Sequence, residues 1–280
     1  MPWTEITRPD YDRRKLRYAS DATEAEWELV APFLEPRSNV GRPREVDMRN
    51  IWDAIQYIAA AGCPWRLLPK DFPPVSTVQY HFYCLRNSGV LDLINEALVL
   101  AARVVEGREA APTAGVIDSQ SVKTTEAGGV RGYDAGKKIK GRKRHIAVDT
   151  QGNMLFGEVH CASVQDRDGA PGVIEQACES FPTLEHFFAD SGYSGDAVRD
   201  ALLGLETSPR IEIVRRPNNA VGFVVVARRW VVERTFSWLG RCRRLAKDWE
   251  TSIASSNAWL YIASIRRSAR HIARKRAQEF

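Results

Sequence analysis

The sequence lacks the marks of a membrane, secreted or disulfide-bonded protein. Its apolar runs all fall short of the ~18 residues that a bilayer-spanning helix requires, and its first segment, MPWTEITRPDYDRRKLR, is charged where a secretory signal would be apolar. Its five cysteines are odd in number and scattered, with neither a CxxC pair nor the Cys/His spacing of a zinc site. These absences predict reduced thiols in a cytosolic protein and argue against a disulfide framework.

The composition is that of an ordinary globular protein. Hydrophobic residues make up 44% and charged residues 27% of the 280 residues, which excludes the collagen-like and disordered classes. At about 150 residues per domain, this length predicts one large domain or two smaller ones.

The net charge of +5 is concentrated in the second part of the chain. Residues 1–112 carry 14 Lys/Arg and 16 Asp/Glu, whereas residues 113–280 carry 26 and 19. Two segments, 131–145 and 241–280, contain 7 and 10 basic residues against 1 and 3 acidic ones. Such clusters indicate a polyanionic partner, although a solvated charged face is the alternative for either cluster alone.

A polar arm over residues 1–20 precedes a helical segment over residues 21–107. Asp21 or Thr23 is a suitable first cap, and apolar spacing predicts further helices over 48–61, 76–87 and 91–105. A proline-broken turn, CPWRLLPKDFPPVS, lies between the helices predicted over 48–61 and 76–87. The pattern is compatible with a helix-turn-helix DNA reader, but a net charge of −2 fits a dimerisation or scaffold domain equally well.

From residue 113 the pattern changes to that of an α/β layer fold. Strands are predicted over AGVID at the start of the β-branched run AGVIDSQSV, over both arms of a hairpin in 144–163, over HFFAD and over RIEIV. Helices are predicted over 168–181, 195–203, 224–245 and 252–276. We therefore expect an α/β domain over residues 113–250 and a basic C-terminal helix over residues 251–280.

Three acidic residues of this second part are candidates for a metal site. Asp118 and Asp190 each end a predicted strand, and the carboxyl ends of strands are where ligands gather in α/β sheets. Glu233 lies off the apolar stripe of its helix, on a polar face with Arg229 and Ser237. Gathered together, three carboxylates would suit Mg²⁺, whereas capping or surface ion pairing explains each residue taken alone.

Four sequence motifs carry a resemblance to a known family. They are VIDSQSVKT, GKKIKGRKRHIAVDTQGN, ADSGYSG and WVVERTFSWLGRCRRLAKDWE, and CPWRLLPKDFPPVSTVQYHF extends the likeness into the helical part. Over residues 20–270 the chain resembles the DDE-type transposases of bacterial insertion sequences, in the insertion-sequence-five family. The resemblance implies a ribonuclease-H-like catalytic domain, related in fold to retroviral integrases, behind a helix-turn-helix-like all-α domain.

The resemblance also implies which residues act. The catalytic and metal-binding triad falls on Asp118, Asp190 and Glu233, which would bind two Mg²⁺ or Mn²⁺ ions. Arg229 matches the arginine four residues before the family's glutamate, whereas Val226 and Gly240 stand where the family usually has Tyr and a basic residue. Basic residues around the triad are expected to bind DNA phosphates: Lys137, Lys138, Lys140, Arg142, Lys143, Arg144, Arg229, Arg241, Arg243 and Arg244.

The implied activity is cleavage at terminal inverted repeats and strand transfer into target DNA. Its partner would be double-stranded DNA, held by a homodimer or larger synaptic complex in the bacterial cytoplasm, at the nucleoid. A catalytically silent repressor and a structure-specific nuclease on the same fold are the alternatives. Asp149, Asp166 and Asp168 compete as metal ligands, with turn formation explaining Asp149 and helix capping explaining Asp166. No partner motif supports His145 and His160, or a nucleophilic role for Ser119 or Ser121.

Overall fold

The N-terminal part of the protein is all-helical in the computed structural model, which describes residues 11–35, 45–205, 208–215 and 228–278. Thr23 caps the first helix in a reciprocal capping box with Glu26. Within the proline-broken turn, Pro64 precedes a short 3₁₀ helix over Trp65–Leu67, and Pro74 precedes the long helix that follows the turn. The helices are α1 (Glu24–Glu28), α2 (Ala31–Leu34), α3 (Met48–Ala61), α4 (Val75–Asn87) and α5 (Val90–Val104).

The second part is built on a mixed six-stranded sheet of β1 (Ala114–Lys123), β2 (Gly132–Asp134), β3 (Ile139–Asp149), β4 (Met154–Cys161), β5 (His186–Ala189) and β6 (Arg210–Ile213). On one side β1 pairs antiparallel with β3, whose other edge pairs with β2 and then β4. On the other side β1 pairs parallel with β5, and β5 pairs parallel with β6. This order, with three antiparallel strands beside two parallel ones, is that of a ribonuclease-H-like sheet, and the predicted fold class is confirmed.

Helices cover both faces of this sheet, because side chains alternate between the two faces along each strand. Ile117 packs with α6 (Asp166–Ser180) on one face, in a core that also includes Val173 of that helix. Its neighbour Val116 lies in the other core, with Val232 of α8 (Trp230–Leu239) and Ile262 of α9 (Ile253–Gln278). A further short helix, α7 (Asp196–Leu203), follows β5.

The predicted domain boundaries fall inside one continuous hydrophobic core. The same cluster contains Ile51 and Leu98 from the N-terminal helices, Val148 from β3, and Trp259 from α9. The ion pair between Arg103 of α5 and Asp149 of β3, 2.9 Å long and almost fully buried, crosses the same boundary. The C-terminal helix α9 is therefore a central packing element of this core. None of the helices in the described residues, α9 included, has the length and apolarity to cross a membrane.

Two further predictions differ from the structure. Asp118 does not end its strand, because β1 continues for five more residues, with Ser119 and Ser121 donating hydrogen bonds to acidic side chains. The predicted helix over 224–245 is shorter at its C-terminal end. There, α8 stops at Leu239 before Gly240, a poor helix former, and a 3₁₀ turn over Arg243–Leu245 follows. Its first residues, 224–227, which include Val226, lie outside the described residues.

Candidate active site

The three predicted catalytic acids come from three different elements on the Asp118 face of the sheet. Asp118 lies in the middle of β1, Asp190 is the first residue after β5, and Glu233 lies in the first turn of α8. Arg229, which caps α8, places one guanidinium nitrogen 3.5 Å from Asp190 Oδ2 and 3.8 Å from Glu233 Oε1. The fold therefore brings Asp190 and Glu233 to the same side chain, the guanidinium of Arg229, next to the strand that carries Asp118.

Asp118 is an electrostatically strained carboxylic acid. Burial raises its pKa from 3.8 to about 6, and the negative charge of the nearby Asp190 contributes to the rise. The backbone N–H of Ser119, 2.7 Å from Asp118 Oδ1, and the charges of Lys137 and Arg229 act in the opposite direction. The positive charge around Asp118 is thus too small to offset the effects of burial and of the Asp190 charge on this carboxyl group.

The donor set fits a hard divalent cation. It consists of carboxylate oxygens only, and an added positive charge would offset the repulsion between Asp118 and Asp190. Glu233, with half of its side chain exposed, is held by Arg229. Among the described residues, no group of three His, Cys, Asp or Glu side chains is arranged as a complete metal site. Asp118 lies within electrostatic reach of Asp190, and Glu233 shares the Arg229 guanidinium with Asp190.

A polar network behind Asp118 escaped the sequence analysis. On the opposite face of β1, Ser119 Oγ donates to Asp166 Oδ1 at 2.6 Å, and Lys143 Nζ donates to the same oxygen at 2.6 Å. Asp166 therefore does not cap α6 through its side chain, because Gln165 is the cap residue and the Asp166 carboxylate is bonded elsewhere. Although burial acts to raise the pKa of Asp166, these two bonds hold it below its usual value.

A second buried contact fixes the turn that follows Asp190. Asp190 caps the 3₁₀ turn Ser191–Tyr193, and Tyr193 OH lies 2.8 Å from His145 Nε2. His145 Nδ1 lies 3.5 Å from His160 Nε2, and burial lowers the pKa of His145 to about 3, so that the ring is neutral. His145 thus has a structural partner in Tyr193, three residues after Asp190 in ADSGYSG, and His160 has one in His145.

Four of the predicted phosphate-binding residues are in the protein interior, and for them the prediction is wrong. Arg142, Lys143 and Arg144 are 0%, 3% and 4% exposed, and Arg244 is 7% exposed. Arg142 pairs with Asp248, and Lys143 pairs with Asp166. Arg144 donates to the carbonyl of Leu245, and Arg244 pairs with Glu250. Since their charged groups are bonded to the protein itself, they are not available to DNA.

The other predicted phosphate-binding residues remain candidates. Lys137, Lys138 and Lys140 are exposed on the turn and first residues of the β2–β3 hairpin, and Arg241 and Arg243 are exposed after α8. Lys137 Nζ also reaches the carbonyl oxygen of Ser119 at 3.0 Å, so this hairpin borders the strand that carries Asp118.

The competing acids Asp149 and Asp168 have other partners. Asp149 accepts hydrogen bonds from the backbone of Gln151 and Asn153, as expected of a turn residue, and also pairs with Arg103. Asp168 is exposed, with Arg167 at 3.9 Å.

The comparison with known families agrees with this geometry. A family model described as "Transposase DDE domain" matches residues 109–266, more than half of the chain, and the chain therefore belongs to this family of DDE transposases. A second model, described as "Putative transposase of IS4/5 family", matches residues 22–95, which places the chain within the IS4/5 type. A search of curated proteins gives no match. The protein is thus an enzyme of the class that acts on DNA with divalent metal ions.

Proposed function

We propose that this transposase binds the terminal inverted repeats of an insertion sequence, hydrolyses a phosphodiester bond at each end and joins the freed 3′-hydroxyl to target DNA. The observation that carries the proposal is the position of Asp118, whose pKa burial raises to about 6, beside the carboxylate of Asp190. A protein that only bound DNA would have no use for a pair of repelling acids at the centre of a basic domain.

The proposed cofactor is two Mg²⁺ or Mn²⁺ ions, held by Asp118, Asp190 and Glu233. When bound, such ions supply charge stabilisation for both the attacking and the leaving oxygen of an in-line displacement. The remaining work belongs to the chain. Asp118 and Asp190 are fixed by the sheet and by the turn after β5, while Arg229, which contacts both Asp190 and Glu233, orients these two side chains.

The DNA backbone is expected to lie along the exposed basic residues of the domain. Lys137, Lys138 and Lys140 belong to the hairpin that borders the strand of Asp118, and Arg241 and Arg243 follow α8, the helix of Glu233. Each phosphate contacted releases counterions, so affinity should fall with salt by a slope of about 0.9 per contact. These residues hold and align the strand, and the acids act on the phosphodiester bond.

Two DNA ends have to be held together for both to be joined to a target. We therefore expect a homodimer or a larger synaptic complex on double-stranded DNA, working at the nucleoid in the bacterial cytoplasm. The helical N-terminal part remains the candidate for recognition of the repeat sequence, through its helix-turn-helix-like segment.

A strand-transfer assay with labelled inverted-repeat ends and Mg²⁺ or Mn²⁺ tests the proposal. We expect nicked ends followed by joined products. Nicking without joining would indicate a structure-specific nuclease, and binding without nicking would indicate a repressor; either result would overturn the proposed function.

A further inference from the structure

Among the residues that the structure describes, the segment of β1 that carries Asp118 is paired along only one of its edges. Pairing with β3 runs from Gly115 to Lys123, but pairing with β5 covers only Ala114 to Val116. At Asp118 and Ser119 the second edge of the strand is therefore not fixed by the sheet, although the position of the Asp118 carboxylate depends on it.

Hydrogen bonds from and to side chains hold Ser119 in place instead. The carbonyl oxygen of Ser119 accepts a hydrogen bond from Lys137, and its hydroxyl donates to Asp166. Asp166 is itself fixed, because Lys143, 3% exposed, donates both to it and to the carbonyl oxygen of Val164 at 2.7 Å. The backbone N–H of Ser119, held in this way, is the group that donates to Asp118 Oδ1.

The network also reaches the turn that carries Asp190. A Cβ built on Gly192, two residues after Asp190, would lie 2.9 Å from Asp190 Oδ1 and 3.9 Å from Asp166 Oδ2. Asp166 thus lies close to Gly192 in the turn after Asp190, while its Oδ1 is bonded to Lys143 and to Ser119, the residue after Asp118.

We propose that Asp166 is a positioning residue for the metal-binding acids, which acts through Ser119 to hold Asp118 in the geometry that a divalent cation requires. The inference rests on the proposed metal-binding role of Asp118 and Asp190. Side chains behind metal ligands typically change metal affinity by about 10–100-fold when they are removed, because the ligand then has to be ordered at the expense of binding energy.

The test is the affinity for Mn²⁺ of the full chain without DNA, measured by electron paramagnetic resonance of the free ion. Asp166→Asn and Ser119→Ala are each expected to weaken Mn²⁺ binding by about 10-fold or more. Ser119→Ala removes only the hydroxyl and keeps the Lys143–Asp166 pair, so it remains informative if Asp166→Asn fails to fold. A cooperative thermal transition without metal establishes that this variant is folded.

Two matched variants control for general effects. Ser121→Ala removes the next hydroxyl on the same face of β1, which donates to Asp134 and not to Asp166. Asp168→Asn removes an exposed acid from the same helical turn as Asp166. Both should bind Mn²⁺ as the wild type does.

Wild-type Mn²⁺ affinity in folded Ser119→Ala would overturn the positioning role. An equal loss of affinity in Ser121→Ala would also overturn it, since the effect would then be a general one of the strand. These outcomes are separate from failure of the proposed function, which is a failure of the wild-type protein to nick and join transposon ends.

Discussion

Two halves of one basic segment have opposite surroundings, one in solvent and the other in the protein interior. The residues Lys137, Lys138 and Lys140 are exposed, whereas Arg142, Lys143 and Arg144, which follow directly on β3, are among the most buried charged residues in the described part of the chain. The sequence of both halves is equally basic. Their difference arises from the fold, because the second half lies in the central sheet between two helical layers.

The buried half connects β3 to two other segments of the same domain. Arg142 donates to the carbonyl oxygens of Glu250 and Thr251 as well as to Asp248 and Ser256, all of which follow α8. Lys143, on the opposite face, holds the start of α6. A charged side chain that is fully bonded inside a protein is structural, and a charge cluster in a sequence is therefore not in itself a DNA-binding surface.

The largest effect is expected when the buried half is changed. Arg142→Ala leaves Asp248 without its cation and removes five other hydrogen bonds, so it should lower the free energy of unfolding by about 3–5 kcal/mol. Lys140→Ala, on the same face of the same strand, should change it by no more than about 0.5 kcal/mol. Urea denaturation measures both. A stable Arg142→Ala protein with weakened DNA binding would reverse the roles assigned here.

The half-buried carboxyl group of Asp118, close to the like charge of Asp190, should affect stability in the opposite way. Because the pKa of Asp118 is raised from 3.8 to about 6, the folded protein holds this proton more tightly than the unfolded chain does. The resulting stabilisation is complete below about pH 4 and is lost as the pH rises through 6. In metal-free buffer at pH 7.5, Asp118→Asn should therefore be more stable than the wild type by about 2–3 kcal/mol.

This difference should disappear below about pH 4, where Asp118 is protonated in both the folded and the unfolded wild type. Denaturation curves across this pH range measure the change. A constant difference between pH 4 and 7.5 would mean that the gain comes from packing and not from charge.

The smallest effect on stability and the clearest effect on DNA are expected in the exposed half. Lys138→Ala and Lys140→Ala should each lower the slope of log affinity against log salt by about 0.9. The loss should be the same for repeat and unrelated DNA, because phosphate contacts carry no sequence information. Fluorescence anisotropy in a salt series measures the slope. An unchanged slope would remove the hairpin from the DNA surface.

Much of the fold was predictable because local pattern and tertiary structure agree. The apolar spacing of α3 gave its bounds, and HFFAD gave β5 with Asp190 directly after it. The end of β1 was missed because Ser119 and Ser121 resemble a polar loop, whereas their hydroxyls are bonded to Asp166 and Asp134 across the fold. A partner 47 residues away is not visible in a single sequence.

Some features of the candidate site were likewise predictable from the sequence, and others were not. Motif resemblance supplied Asp118, Asp190 and Glu233, and the structure places them on neighbouring elements. Burial separated the buried arginines from the exposed lysines, which no charge count could do. The sequence predicts that Arg229 binds a DNA phosphate. In the structure its guanidinium lies between the carboxylates of Asp190 and Glu233 and pairs with both.

Asp118 is central to the proposed chemistry, and the most direct test is cleavage of labelled transposon-end DNA by Asp118→Asn with Mg²⁺ or Mn²⁺. Asp168→Asn is the control, and DNA affinity is measured in parallel. We predict that Asp118→Asn binds the DNA ends but cleaves them at least about 100-fold more slowly, while the control cleaves at the wild-type rate. Full cleavage by Asp118→Asn would contradict the assignment of the active site.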